Sequence, residues 1–253
     1  MAQVARGVAT VMLRYASYLE VIGSEVARIL DLVADGRDDL IADCAPWRVS
    51  ELVAHLVELC SEWNLQLQNA DDLHYLSAPR ELRRLVSPND LERETDQLLM
   101  MLERVGEEAP CWNWTGEDLQ AIWVARRVAV EMTLHRCDLE RARGAYPEID
   151  DVMGIDGIDE RLESLLPVSL RANPTATTRG SICFVAHPAG RAWNVSPERG
   201  RLRLRDGRGP AAVVLEGGVG ALLQFLWNRI DLDAFVVTGN REVALAWRSL
   251  PCP

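Results

Sequence analysis

Lysine is missing from this chain. All 27 basic residues apart from the four histidines are arginine. So one-sided a usage reflects a compositional bias toward Arg codons, and no arginine carries functional weight by its type alone. An excess of positive charge is missing too. With 38 acidic residues the formal net charge is −11, which argues against nucleic acid or an anionic membrane surface as the main partner. The opening stretch MAQVARGVATVML has no basic region followed by a long apolar run, so no signal peptide is expected. No apolar stretch approaches the length of a membrane span. The expected location is cytoplasmic. The six cysteines, Cys44, Cys60, Cys111, Cys137, Cys183 and Cys252, form no CxxC pair. In such a chain they are expected to be reduced and mostly buried. GxSxG, Walker A and dinucleotide-binding runs are all absent, which removes the commonest signatures of serine hydrolases, P-loop enzymes and Rossmann proteins. The run VVLEGGVGAL lacks the lysine and the GxGxxG spacing of a phosphate loop and reads as a turn before a helix.

What is present is enough apolar material, 48% of 253 residues, for one large domain or two small ones. Residues 10–34 carry Leu13, Leu19, Val26, Ile29, Leu30 and Val33 at helical spacing, stopped by Gly36. A short connection with Cys44, Pro46 and Trp47 leads to a second helix, capped by Ser50 and running to about 70. The stretch 71–89 is irregular, with Pro79, Pro88 and the basic cluster Arg80, Arg83 and Arg84. A third helix is expected over 89–106 and a fourth over roughly 117–143, after the loop CWNWTGED. Four such helices suggest a bundle, the architecture in which metal sites are built on facing helices. Residues 154–166 read as a further helix and 171–181 as a polar linker. Short strand-like runs follow: SICFVAH, RAWNVSP, GRLRLRD, AAVVLEG and DAFVVTG. The helical runs GALLQFLWNRI and REVALAW are interleaved with them. The chain therefore divides into a helical bundle over 1–150 and a small α+β domain over 151–253, with the change in composition between 145 and 180.

One place supports a specific chemistry. Glu131 and His135 lie one turn apart in RRVAVEMTLHRCD, so they address one point in space. His55 lies in another amphipathic run, SELVAHLVEL. Two histidines and a carboxylate bind a divalent metal while leaving a coordination position open, the catalytic form of a zinc site; nickel, iron and manganese accept the same donors. The bland alternative is a helix-surface Glu–His pair with an unrelated structural histidine. Asp138 suits either of two roles, an acceptor that fixes the His135 tautomer or a partner of Arg141. Trp112, Trp114 and Trp123 read as packing or as the wall of a pocket. His74 and His187 fall in loop-like segments and read as surface residues.

The segments around the trio carry a family resemblance. CAPWRVSELVAHLVELCSEW and RRVAVEMTLHRCDLERARG, the latter followed by IDDVMGIDGIDERLESLLP, resemble the signatures of the mycothiol-dependent maleylpyruvate isomerase family of actinobacteria. FLWNRIDLDAFVVTGNREVALAW resembles the small C-terminal domain of many members. The resemblance implies a DinB-like four-helix bundle with a divalent metal, typically zinc, held by His55, Glu131 and His135. It also implies a sterol-carrier-like α+β domain that contributes a catalytic arginine, for which Arg229 in WNRI is the match. The implied activity is that of a metal-dependent, mycothiol-using isomerase or S-transferase. In it a metal-activated thiol attacks a small electrophilic substrate, in a monomer or homodimer that binds neither nucleic acid nor membrane. Two alternatives stand beside it: a thiol-independent metal enzyme of the same fold in a specialised pathway, and a non-catalytic small-molecule-binding protein.

Overall fold

The computed structural model describes residues 13–69, 74, 76, 86–173, 180–198 and 201–251. Arg80, Arg83, Arg84, Pro79 and Cys252 lie outside them. The described chain forms two compact units, divided between Glu148 and Ile149.

The first unit is a bundle of four long helices, α1 (Tyr15–Val33), α2 (Val49–Gln68), α3 (Pro88–Val105) and α4 (Ala121–Ala142). Helix α1 buries Tyr18, Ile22, Val26, Ile29 and Val33, a stripe at helical spacing, and packs chiefly against α4. Helix α3 buries Leu91, Leu98 and Leu102 and packs chiefly against α2. Ser50 is not the cap of α2. That helix begins one residue earlier, where the Arg48 backbone N–H donates to the Glu51 carboxylate at 2.8 Å and the Ser50 N–H donates to Asp38 at 2.8 Å. Two carboxylates are stronger acceptors for these orphan amides than a serine hydroxyl. Helix α4 starts at Ala121 rather than near 117, because Gly116 and Asp118 adopt left-handed backbone (φ 72° and 48°).

Helix α4 is buried on nearly every side, although it carries Arg126, Arg127, Glu131, His135, Arg136 and Asp138. Arg136, 1% exposed, shows how such a group is accommodated. It donates to both Glu25 oxygens (2.7 and 3.2 Å), to Glu140 (2.7 Å) and to the Glu148 carbonyl (2.8 Å), and so ties α4 to α1.

The second unit opens with α5 (Asp151–Glu160), capped by Asp150, whose side chain accepts from the Val152 and Met153 amides. The chain continues through one π-helical stretch, Arg161–Leu165, into α6 (Leu166–Ala172). The helical run is thus longer than the expected 154–166. Pro167 lies in the first turn of α6, and the widened π turn before it leaves room for a residue that cannot donate. The strand-like runs become β1 (Ile182–Ala186), β2 (Ala192–Glu198), β3 (Arg201–Asp206), β4 (Val213–Gly217) and β5 (Val236–Gly239), in sheet order β3-β2-β1-β4-β5. Only the central β1–β4 pair is parallel, and β1 is buried along its whole length. Helices α7 (Val219–Leu226) and α8 (Arg241–Arg248) pack against β1 and β4, with Phe184, Phe225 and Trp247 in ring contact. Gly154 on α5 admits α7 closely, since a Cβ there would stand 2.5 Å from Val219. The Gly-rich run is the turn between β4 and α7, as read.

Among the described residues Cys60, Cys111, Cys137 and Cys183 are buried, Cys44 is partly exposed, and all five are free thiols. No described helix is long and apolar enough to cross a membrane.

Two outcomes follow from these contacts. Arg136→Met leaves Glu25 and Glu140 without their common counter-charge and should cost about 3–5 kcal/mol in urea unfolding. Asp90 accepts from the Ser87 hydroxyl (2.7 Å) and backbone N–H (2.8 Å) and from Arg93 (2.7 Å), which pulls its pKa down to about 2. The stability from this cap is therefore complete above the ordinary carboxylate value of about 4 and is lost as pH falls toward about 2. Asp90→Asn should flatten that part of the acid-unfolding curve, with little change in acid response above pH ~5.

Candidate metal centre

The site is built where α2 and α4 face each other under the loop before α2. That loop is closed by backbone bonds from Ile41 N–H to the Trp47 carbonyl (2.8 Å) and from Trp47 N–H to the Cys44 carbonyl (3.0 Å). It carries Cys44 and Trp47 onto the two helices. The Trp47 ring lies 5.0 Å from the His55 ring and 6.4 Å from that of His135, centroid to centroid. The His55 and His135 rings meet edge to face at 5.1 Å.

The structure brings the three sequence-predicted donors together. One ligand atom from each of His55, Glu131 and His135 lies within 4.8 Å of the others. His135 Nε2 is 3.2 Å from Glu131 Oε2. His135 is 4% exposed, while His55 and Glu131 are half-buried, so the cluster opens on the His55 and Glu131 side.

Each donor has a second partner or a ring neighbour. His135 Nδ1 lies 3.0 Å from Asp138 Oδ2, which also accepts from the Cys44 thiol at 3.3 Å. The other Asp138 oxygen accepts from Arg141 at 2.7 Å, and Arg141 in turn donates to Asp43 at 2.5 Å. Asp138 therefore takes both of the roles between which spacing could not choose. Glu131 Oε1 is ion-paired with the fully buried Arg127 at 2.8 Å. Burial alone would raise the Glu131 pKa, but the charge of Arg127, with His135 and His55, outweighs it and holds the carboxyl well below its usual range. Burial alone would lower the His135 pKa, but hydrogen bonding with Asp138, Cys44 and Glu131 outweighs it and holds the imidazole well above its usual value. The surroundings of His135 Nε2 thus stabilise positive charge.

Arg229 belongs to the α+β unit. It follows Asn228, which has left-handed backbone (φ 63°), just beyond α7, and donates to the Trp227 carbonyl at 2.8 Å. His74 and His187 are exposed, and His187 pairs with Glu216 at 3.0 Å. Sequence reasoning assigned no role to Arg127, Cys44 or Trp47. Arg127 stood four residues before Glu131 on the same helical stripe, a signal that was available. Cys44 and Trp47 sit in a loop without periodicity.

Residues 19–140 match the family model described as the mycothiol maleylpyruvate isomerase N-terminal domain. The fold is similar to that of a crystal structure of the mycothiol-dependent maleylpyruvate isomerase. Its TM-score is 0.65 at 14% identity, over 89% of this chain and 93% of that one. A variant of that isomerase with one histidine replaced by alanine aligns at TM-score 0.61 and 15% identity, with the same coverage. No curated protein matches the chain by sequence. The chain thus resembles this family in its helical unit and in its fold.

The Arg127–Glu131 pair yields a test in metal-free protein. Arg127→Met and Glu131→Gln should each destabilise, Glu131→Gln by about 3–5 kcal/mol, because it removes the carboxylate ion-paired with the fully buried Arg127. The double variant should lose less than the sum, with a coupling of about 0.5–3 kcal/mol in a double-mutant cycle.

Proposed function

We propose that this chain, similar over residues 19–140 to the N-terminal domain of mycothiol maleylpyruvate isomerases, is a metal-dependent enzyme. It activates a low-molecular-weight thiol, mycothiol by the resemblance, for attack on a small electrophilic substrate. The observation that carries this reading is the convergence of His55, Glu131 and His135 donor atoms within 4.8 Å of one another.

The residues fit a divalent ion. Two imidazole nitrogens and one carboxylate are the donor set of open zinc sites, and no thiolate is needed. Asp138 lies at His135 Nδ1, the usual arrangement behind a metal-ligating imidazole. His55, Glu131 and His135 would hold the ion, with zinc the best match to the donors. When bound, it supplies the Lewis acidity that makes a nearby thiol ionise near neutral pH.

The chain's own groups do the rest. Asp138 accepts a hydrogen bond from His135 Nδ1–H and leaves Nε2 directed at the cluster. Arg127 fixes one Glu131 oxygen, so the other faces the two histidines. Trp47 covers the imidazole rings of His55 and His135 and restricts water on that side. The resemblance makes Arg229 the candidate partner of the developing negative charge on the substrate. Addition of the thiolate sulfur to an activated cis double bond, rotation in the resulting enolate and expulsion of the thiolate as the double bond re-forms give an isomerase; retention of the new C–S bond, with the enolate carbon taking up the proton that the thiol lost, gives an S-transferase.

Purified protein should contain one divalent ion per chain by elemental analysis. His55→Ala and Glu131→Gln should abolish it, and Asp138→Asn should weaken affinity by about 10–100-fold. Arg229→Ala should lower turnover with metal content unchanged. Absence of stoichiometric metal together with unaltered stability of His55→Ala would overturn the enzyme reading. Stoichiometric metal with no binding or consumption of mycothiol would instead favour a thiol-independent metal enzyme.

A further inference from the structure

A second set of converging donors lies on the other side of the His135 ring. Cys44, His135 and Asp138 each place one ligand atom within 4.8 Å of the others, and of the trio only His135 belongs to this set. His135 Nδ1 stands 3.0 Å and Cys44 Sγ 3.3 Å from the same oxygen, Asp138 Oδ2. Asp138 and His135 are 1% and 4% exposed, while Cys44 is partly exposed and lies on the solvent side of the set. The backbone holds Cys44 from both directions. It ends the 3-10 turn Ala42–Cys44, its N–H donates to the Ile41 carbonyl at 3.0 Å, and its carbonyl accepts from the Trp47 N–H at 3.0 Å.

Sulfur, imidazole and carboxylate together suit zinc-like ions, and the sulfur shifts the preference toward soft cations. A four-coordinate ion with bonds of about 2.0–2.3 Å keeps its donors about 3.3–3.8 Å apart. The separations of 3.0 and 3.3 Å at Asp138 Oδ2 lie at the lower edge of that range, so small side-chain movements suffice. Two protons stand in this space, on the Cys44 sulfur and on His135 Nδ1, both directed at Oδ2. Arg141 does not compete for Oδ2. It binds the other Asp138 oxygen at 2.7 Å, and its charge is shared with Asp43. The trio offers no sulfur, so the two positions differ in the ion they favour as well as in the ring nitrogen they use.

We propose that Cys44 Sγ, His135 Nδ1 and Asp138 Oδ2 form a second cation position, selective for soft, thiophilic divalent ions of the cadmium class, with water as the fourth ligand on the Cys44 side. Binding forms one bond from the ion to each of sulfur, nitrogen and oxygen. The Cys44 thiol releases its proton to solvent, and the neutral ring carries its proton on Nε2 instead of Nδ1. No electron is transferred. Nε2 faces Glu131 Oε2 at 3.2 Å, which accepts that proton in a hydrogen bond. His135 is then lost to the trio as a ligand, so a soft ion at the second position competes with the ion held by His55, Glu131 and His135 and inhibits the enzyme. That consequence rests on the metal-enzyme reading; the binding itself does not.

The test is titration of the full chain, stripped with a chelator, with cadmium chloride. Ultraviolet absorption follows the thiolate-to-cadmium charge-transfer band, which reports the bond to sulfur. The band should saturate at one ion per chain. Cys44→Ser should lose it at unchanged circular dichroism, while His55→Ala and Glu131→Gln, which disable the trio, should keep it. A second measurement needs no variant: cadmium should protect Cys44 from alkylation by iodoacetamide, read by peptide mapping, and magnesium, a hard ion, should not. No band, a band that survives in Cys44→Ser, or alkylation of Cys44 at an unchanged rate in saturating cadmium overturns the proposal. Loss of the band in His55→Ala would make Cys44 a ligand of the trio's own ion and overturns a separate position. Zinc retained in full by the trio while the band is present overturns the competition. A band in protein that binds no zinc supports the second position whatever becomes of the metal-enzyme reading.

Discussion

Helix α4 is surrounded by protein yet carries charge on most of its turns, and the helical unit is arranged around that constraint. A buried ion without a partner is strongly destabilising, so each charge on α4 must be met by another group, from a neighbouring element or from α4 itself. Helix α1 supplies Glu25 for Arg136. The loop before α2 supplies Asp43 for Arg141 and the Cys44 thiol for Asp138. Along α4 itself, Arg127, Glu131, His135 and Asp138 form one continuous chain of contacts at three- and four-residue spacing. The rotation of α4 in the bundle is therefore specified by charge as well as by apolar shape, which directs Glu131 and His135 toward α2.

Much of this architecture was legible in the sequence where a period exists to be read. The apolar stripe of α1, the span expected for α3 and the five strand-like runs all rest on local rules, and each became an element with ends near those expected. The departures arose where local rules compete. Helix α4 begins late because two left-handed residues hold the preceding loop. Helix α2 borrows its cap from Asp38, twelve residues before Ser50. The helix after Asp150 outruns its pattern because a π turn absorbs Pro167.

The candidate site divides in the same way. Glu131 and His135 shared a face by spacing alone, and Arg127 and Asp138 were readable as their helical neighbours. The approach of His55 on α2 depended on tertiary packing, so only the order of the flanking segments hinted at it. Trp47 and Cys44 reach the cluster through loop closure by main-chain bonds, which leaves no trace in hydropathy or composition.

Both ring nitrogens of His135 are engaged, Nδ1 by Asp138 and Nε2 by Glu131. The imidazole therefore cannot turn over without breaking two contacts in a buried setting. Glu131 is likewise held by Arg127. The rotamer freedom that binding would otherwise remove has largely been given up during folding. Whatever ligand enters this cluster meets side chains already fixed, so little of its affinity is spent on ordering them, and selectivity rests on the size and charge of the newcomer rather than on adaptation of the host.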